Sequence, residues 1–252
     1  MGVICSCPKA PEKLNRNFTQ QHASTFTNFI AVEPLFQVEA AQQELNSYLQ
    51  KHRGEMSPQV IHLFFAAAAN PLKGLSSLTL DRVRPEDWPH LSTLFLYGDC
   101  VESLVLTATR LDVAGFCILC GYLEVLGGLT ELRLVDMGLG HYDFHKLATA
   151  CKKLRRVEKL DLSKNELKPA HIRSLAPTLP KLTYLRELNL DDNCIEDEGC
   201  DLLRPRLYPL RSLRLVSLRF NSITPAGYMQ FQDLLQTKEN LRIVVDGLKL
   251  DK

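Results

Sequence analysis

One short pattern of apolar positions recurs along most of the chain. From residue 75 onward, six-residue segments carry apolar side chains at their first, fourth and sixth places. They are Leu75, Leu78, Leu80; Val101, Leu104, Leu106; Leu129, Leu132, Leu134; Val157, Leu160, Leu162; Leu185, Leu188, Leu190; and Leu213, Val216, Leu218. The sixth place steps by 26 residues from 80 to 106, then by 28 to 134, 162, 190 and 218. A further step of 28 reaches Asp246, where Leu241 and Val244 keep the first two places and the third has turned polar. Such runs are too short to bury themselves as helices, whereas their spacing puts alternate side chains on one side of a strand. Each unit must therefore be covered by its neighbours.

Between these strands the period changes. Phe116, Leu119, Cys120, Leu123 and Leu126 follow helical spacing, as do Phe144, Leu147, Ala148, Cys151 and Leu154, and then Ile172, Leu175, Ala176, Leu179 and Leu182. Ser57-Pro58 and Thr224-Pro225 read as helix starts, and Lys168-Pro169 shares the proline. Arg204-Pro205 and Tyr208-Pro209 predict a broken or 3₁₀-like helix in their unit. Asn165, Asn193 and Asn221 each stand three residues after a sixth-place leucine, where an inward amide can satisfy the backbone at a bend. Leu167, Ile195 and Ile223 then return apolar volume to the core. Thr109 and Met137 occupy the asparagine place in earlier units, so the ladder should be less regular there. Gly115, Gly199 and Gly227 share one offset, nine residues after the sixth place, which predicts close backbone or helix approach rather than phosphate binding.

This arrangement resembles the leucine-rich repeat, and its length is similar to the long, ribonuclease-inhibitor-like class with a strand and a helix in every turn. The resemblance covers about residues 55–250. It implies an α/β fold: a right-handed solenoid, or horseshoe, with parallel strands on the concave face and helices on the convex face. The region before it has a different pattern. Pro34, Leu35, Val38, Ala41, Gln42, Leu45 and Leu49 suggest an amphipathic helix stopping near Gly54. A second helix over Val60 to Ala69 places Ile61, Phe64, Phe65 and Ala68 on one face. Together they read as an α-helical N-terminal cap, since an uncovered end repeat exposes its whole apolar cross-section. Phe18, Phe26, Phe29 and Ile30 either pack into that cap or form a partner-binding segment. The expected organisation is a tether over 1–20, a cap over 21–74 that includes the first convex helix, and a repeat domain over 75–252.

Composition narrows the function. The chain has 252 residues, 45% hydrophobic, and its 30 basic and 29 acidic residues leave a net charge of +1, so no chain-wide cationic surface is available for nucleic acid. Lys152, Lys153, Arg155, Arg156 and Lys159 form the densest basic run, and they read as a solvated helix end. The first residues hold no charged leader followed by an apolar run, so secretion is not expected, and the Val60 to Ala69 stretch is too short to span a bilayer. Gly2 with Ser6 instead fits an N-myristoylation pattern after loss of Met1. One myristoyl chain anchors only marginally, and palmitoylation of Cys5 and Cys7 would supply the second signal. The expected location is the cytoplasmic face of a membrane, the plasma membrane first, or the cytoplasm without acylation.

No enzyme constellation stands out. Cys117-x-x-Cys120 lies inside an apolar helix with no second cysteine pair, and His141 and His145 lack the His-Glu-x-x-His arrangement. Asp191-Asp192 and Glu196-Asp197-Glu198 lack calcium-loop spacing, and eight cysteines without a leader do not imply a disulfide framework. No metal site, cofactor or catalysis is expected. The concave face is the expected working surface. One inferred column reads Thr79, Val105, Arg133, Asp161, Asn189, Ser217 and Val245, and its neighbour Asp81, Thr107, Val135, Ser163, Asp191, Arg219 and Gly247. Adjacent strands make Arg133 with Asp161, and Asp191 with Arg219, expected charge pairs. Toward the carboxyl end, Leu215, Phe220, Ile243 and Leu248 beside Arg214, Arg219 and Arg242 form the preferred partner patch. The expected function is a membrane-recruited scaffold that binds a protein, as yet unidentified, and no nucleic acid. The alternative is a regulator of a small GTPase, similar in architecture to Ran GTPase-activating proteins, with Arg82, Arg133 and Arg219 as exposed candidates.

Overall fold

The structure is a computed structural model that describes residues 34–69, 76–95, 101–142 and 144–246. Gly2, Cys5, Cys7, the aromatic segment around Phe26 and Leu248 lie outside them. The repeated apolar runs form seven parallel strands in strict chain order: β1 (Ser77–Asp81), β2 (Ser103–Thr107), β3 (Glu131–Val135), β4 (Lys159–Asp161), β5 (Glu187–Asn189), β6 (Leu215–Ser217) and β7 (Arg242–Val244). Alternation along each strand sends Leu132 and Leu134, Leu160 and Leu162, and Leu188 and Leu190 into one interior row, all buried, while Arg133, Asp161 and Asn189 face outward between them. Register follows the sequence period, with Leu104 opposite Leu132, Leu160 opposite Leu188, and Leu188 opposite Val216.

The last turn departs from that period. Val216 pairs with Ile243 and Ser217 with Val244, a step of 27 rather than 28. Ile243 and Val245 therefore fill the interior places, both buried, and Val244 takes the outward place expected of Val245. The third place of this turn stays apolar, and Ile243 is core rather than part of an exposed patch. Asp246 is exposed and accepts a hydrogen bond from the Phe220 backbone N–H.

Helices close each turn on the opposite side. They are α1 (Pro34–His52), α2 (Pro58–Ala69), α3 (Trp88–Phe95), α4 (Val113–Leu123), α5 (Phe144–Cys151), α6 (Pro169–Leu175), α7 (Asp197–Leu207), α8 (Pro225–Met229) and α9 (Gln232–Thr237). The predicted stripes on α4, α5 and α6 are buried throughout. The third stripe changes helix type midway: α6 ends at Leu175 and a 3₁₀ segment, Ala176–Lys181, carries Leu179 inward. Pro177 and Pro180 lie in that segment, and the buried Thr178 hydroxyl donates to the Leu175 carbonyl at 2.7 Å. The break expected around Pro205 does not occur, since α7 runs through it to Leu207. Pro205 sits in the final turn, where it removes a single backbone donor, the one facing the carbonyl of the exposed residue Asp201. At α8, the Thr224 side chain accepts from the Gly227 N–H at 3.4 Å. A Cβ on Gly227 would stand 2.0 Å from the Asp197 carboxylate, so the recurrent glycine marks close packing between turns.

The cap joins the same core. Leu45 and Leu49 of α1 and Val60, Phe64, Ala67 and Ala68 of α2 are buried in one cluster with the strand leucines. The buried face of α2 is rotated from the predicted one: Val60 is interior and Phe65 is 47% exposed. Asp87 fastens the junction, because its carboxylate accepts from the Ser57 backbone N–H at 2.8 Å and from Arg84 at 3.1 Å. Burial opposes its charge, but the bonds from Arg84 and Ser57 outweigh that and hold its pKa below the usual carboxylate value.

The asparagine ladder satisfies the bend that follows each strand. Asn165 Oδ1 accepts from the Met137 N–H at 2.9 Å and its amide donates to the carbonyls of Leu134, Leu162 and Ser163. Asn193 accepts from the N–H groups of Asn165 and Leu167 at 3.0 Å, and Asn221 from that of Ile195 at 2.9 Å. Each amide therefore ties its own turn to the preceding one. Earlier in the stack Thr109 manages a reduced version, accepting from Val83 and donating to Thr107, while the buried Met137 makes no such bond. Asn165→Ala strands several buried backbone groups and is expected to cost about 3 kcal/mol or more, against about 1 kcal/mol for Thr109→Val. Urea denaturation of both variants measures the difference.

Three helix thiols, Cys120, Cys151 and Cys200, are buried, and burial pushes each up to about 12. Cys120 of the Cys-x-x-Cys segment is thus placed as a core side chain. In the native protein at pH 8, peptide mapping after maleimide treatment should show the exposed Cys194 alkylated at least about 100-fold faster than these three, because the thiolate is the nucleophile.

Candidate interaction surface on the concave face

The outward places of β3 to β7 line a groove of about 390 Å³. Seven of the nine predicted partner residues are on its wall: Arg133, Asp161, Asn189, Asp191, Leu215, Arg219 and Arg242. Lys159, Leu160, Glu187, Leu188, Ser217 and Val244 complete the polar and apolar lining. Arg214 and Phe220 are exposed beside it rather than on it. Parallel pairing sets Arg133 across from Asp161 and Asp161 across from Asn189, so sequence-distant side chains become lateral neighbours.

The two expected charge pairs form differently. Arg133 Nε donates to Glu131 Oε1 at 2.7 Å along its own strand. Glu131 is already fixed there by the Ser103 hydroxyl of β2 at 2.8 Å; the Ser103 bond and then Arg133 hold its pKa below the usual carboxylate value against the opposing effect of burial. Asp161 accepts instead from the Ser163 N–H and hydroxyl, at 3.0 and 2.7 Å. Asp191 does reach the next turn, but its Oδ1 accepts the Arg219 backbone N–H at 2.8 Å and not the guanidinium. Among the described residues, no carboxylate lies within ion-pair distance of the Arg214, Arg219 or Arg242 guanidinium. Along the groove wall the charged residues run Arg133, already paired with Glu131, and Lys159, then Asp161, Glu187 and Asp191, then Arg219 and Arg242. At about 4.8 Å per strand the band from β3 to β7 extends about 19 Å.

Phe220 stands at the rim, 68% exposed, in the left-handed backbone region with φ of 55°. The same offset is left-handed after each of β1 to β5, at Arg82, Ala108, Asp136, Lys164 and Asp192. The bend demands the conformation, and an aromatic side chain is poorly suited to it. The signal in the sequence was the fixed offset, two residues after each sixth-place residue, although none of these positions is glycine.

Other sequence candidates are used structurally. His141 Nε2 pairs with Glu166 at 3.1 Å. Asp197 accepts from the Thr224 N–H and hydroxyl, at 2.8 and 2.6 Å, and Glu198 pairs with Arg173. Arg82 is exposed, 3.8 Å from Asp81. Among the described residues no helix is long and apolar enough to cross a membrane.

The model of a leucine-rich repeat family matches residues 181–203, the stretch that contains β5 and the start of α7. The stacked parallel strands with flanking helices form a solenoid of the leucine-rich-repeat type. Comparison with curated proteins gives no match. Among solved structures, actin-binding site 2 of leiomodin-1 is 18% identical, with 48% of this chain and 72% of that one covered and a TM-score of 0.41. An internalin of Listeria monocytogenes is 16% identical over 73% of this chain and 51% of that one, TM-score 0.45, so the alignment spans about half of that internalin. Internalin C2 of the same organism is 19% identical over 71% and 83%, TM-score 0.36.

Replacing Phe220 with Asn removes an aromatic residue from a left-handed position and is expected to stabilise the fold by about 1 kcal/mol. A rise in Tm on thermal denaturation checks this; an unchanged or lower Tm means that the ring contributes packing that outweighs the backbone cost.

Proposed function

We propose that the protein is a non-catalytic, membrane-recruited adaptor that captures a protein partner in the groove of β3 to β7. The observation that carries this reading is that Arg219 and Arg242 line one end of the groove with no carboxylate partner among the described residues, and that exposed Phe220 adjoins Arg219. Arginine and aromatic side chains are the usual anchors of protein contacts, and unpaired charges on a fixed sheet are ready to take up complementary ones at little cost in reorganisation. The complementary partner segment carries acidic side chains against Arg219 and Arg242, basic ones against Asp161, Glu187 and Asp191, and acidic ones again toward Lys159. Membrane recruitment rests on Gly2, Ser6, Cys5 and Cys7, where a myristoyl chain and added palmitoyl chains together give the two signals stable anchoring needs. The cytoplasmic leaflet, that of the plasma membrane first, is the corresponding location.

The second reading, regulation of a small GTPase, draws on the same exposed Arg219, which would insert into a partner's active site rather than bind its surface. Proximity capture in cells with wild type, an Arg219→Glu/Arg242→Glu variant and a Gly2→Ala/Cys5→Ser/Cys7→Ser variant separates these ideas. The adaptor reading expects fatty-acyl mass on the wild type, loss of membrane neighbours in the lipidation variant, and at least about 10-fold weaker partner recovery in the charge-reversed one. Wild type without acyl mass removes the membrane half. Partners unaffected by charge reversal remove the groove. GTP hydrolysis accelerated by the purified protein and abolished by Arg219→Ala selects the GTPase reading.

A further inference from the structure

The junction between the cap and the first repeat gathers three metal-ligand side chains that no motif announces. His52 ends α1, Glu55 lies in the turn that follows, and His90 comes from α3. His52 Nδ1 is 2.9 Å from Glu55 Oε2, and His90 Nε2 is 3.7 Å from the same oxygen. One donor atom from each residue lies within 4.8 Å of the other two. We propose that His52, Glu55 and His90 bind one zinc-class divalent cation, which clips the cap to the solenoid.

The donor set fits that chemistry. Two imidazoles and one carboxylate are borderline ligands that suit zinc, while calcium and magnesium call for more oxygen donors. Zinc bonds of about 2.0–2.2 Å put neighbouring tetrahedral ligands about 3.4 Å apart, a value bracketed by the two separations above. Small side-chain adjustments are enough. His90 is almost buried, and its other ring nitrogen is hydrogen-bonded to the Tyr48 hydroxyl at 3.0 Å. That bond fixes the ring, and the tautomer in which Nδ1–H donates to the Tyr48 oxygen leaves Nε2 free to coordinate. Tyr48 is itself held, stacked on the buried Phe64 ring at 5.4 Å. Glu55 is exposed, so the fourth position faces solvent and takes water. Arg84 also reaches this turn, donating to the Glu55 carbonyl at 3.4 Å, so the ligands sit on a segment already tied to the first repeat.

The site connects elements adjacent in space but separate in sequence, so an ion bound there stabilises the folded state by mass action. Titrating the metal-free full-length protein with zinc sulfate against a chromophoric chelator, alongside calcium and magnesium, tests it. One zinc equivalent should bind and raise the Tm by about 5 °C or more when zinc exceeds its dissociation constant 100-fold. His52→Gln should weaken binding by about 100-fold and Tyr48→Phe by about 10-fold. The Glu55 side chain is exposed, so Glu55→Gln should keep the Tm of the metal-free protein while losing zinc affinity, which separates lost ligation from misfolding. Cobalt in place of zinc should give visible absorbance without a thiolate charge-transfer band. Absence of saturable zinc uptake, uptake equal in wild type and His52→Gln, a thiolate band, or calcium binding as tight as zinc would each overturn the proposal.

Discussion

Everything in this fold depends on one constraint: no single turn can bury its own apolar side. A strand of three to five residues with two inward leucines is covered only when the next strand sets its own leucines alongside, in register. The polar counterpart of that row is the amide ladder. Asn165, Asn193 and Asn221 sit inside the stack and saturate backbone groups that the bend would otherwise leave unpaired, each reaching back into the preceding turn. Apolar stacking and the ladder are coupled, since moving one turn by a single residue would remove its leucines from the row and its asparagine from the bend together.

The same rigidity makes the concave face a presentation device. Inward leucines fix the strands, so the side chains between them project at set spacing whether or not they find partners. Where a local group is already at hand, charges are used internally, as with Arg133 on Glu131 and Asp161 on Ser163. Toward β6 and β7 the described residues offer Arg219 and Arg242 no carboxylate, and Phe220, next to Arg219, is an aromatic residue held in a costly backbone conformation. Strain retained at the rim of a groove is an observation that points toward use of that rim. The leucine-rich-repeat architecture itself is shared by proteins with unrelated tasks, so this local chemistry, and not the fold, supports an adaptor role.

Periodicity made the strands, their register through β6, the buried stripes of α4 to α6 and the asparagine ladder legible in advance, because each rests on a repeated offset. What it missed lies where the offset fails or where contacts are not periodic. Leu241 to Val245 is apolar at all but one position, so a one-residue shortening leaves no visible trace until pairing places Ile243 inside. The face of α2 depends on what packs against it, and Phe65 turned outward. Pro205 does not break α7 because a proline in the last turn removes only one backbone bond. The Arg133 partner was a contest between two carboxylates, decided by Ser103 on a third strand. His52, Glu55 and His90 meet only because the cap docks on the first repeat, and the spacing along the chain carries no hint of it.

Native-state hydrogen exchange tests the central claim most directly. The N–H groups of Met137, Asn165, Leu167 and Ile195 are bonded by asparagine side chains rather than by regular secondary structure. If the ladder and the stacked leucines form one cooperative core, these amides should exchange only with global unfolding, as slowly as those of Leu160 and Leu188. Exchange of the four at rates typical of open loops, while the strand amides stay protected, would contradict it.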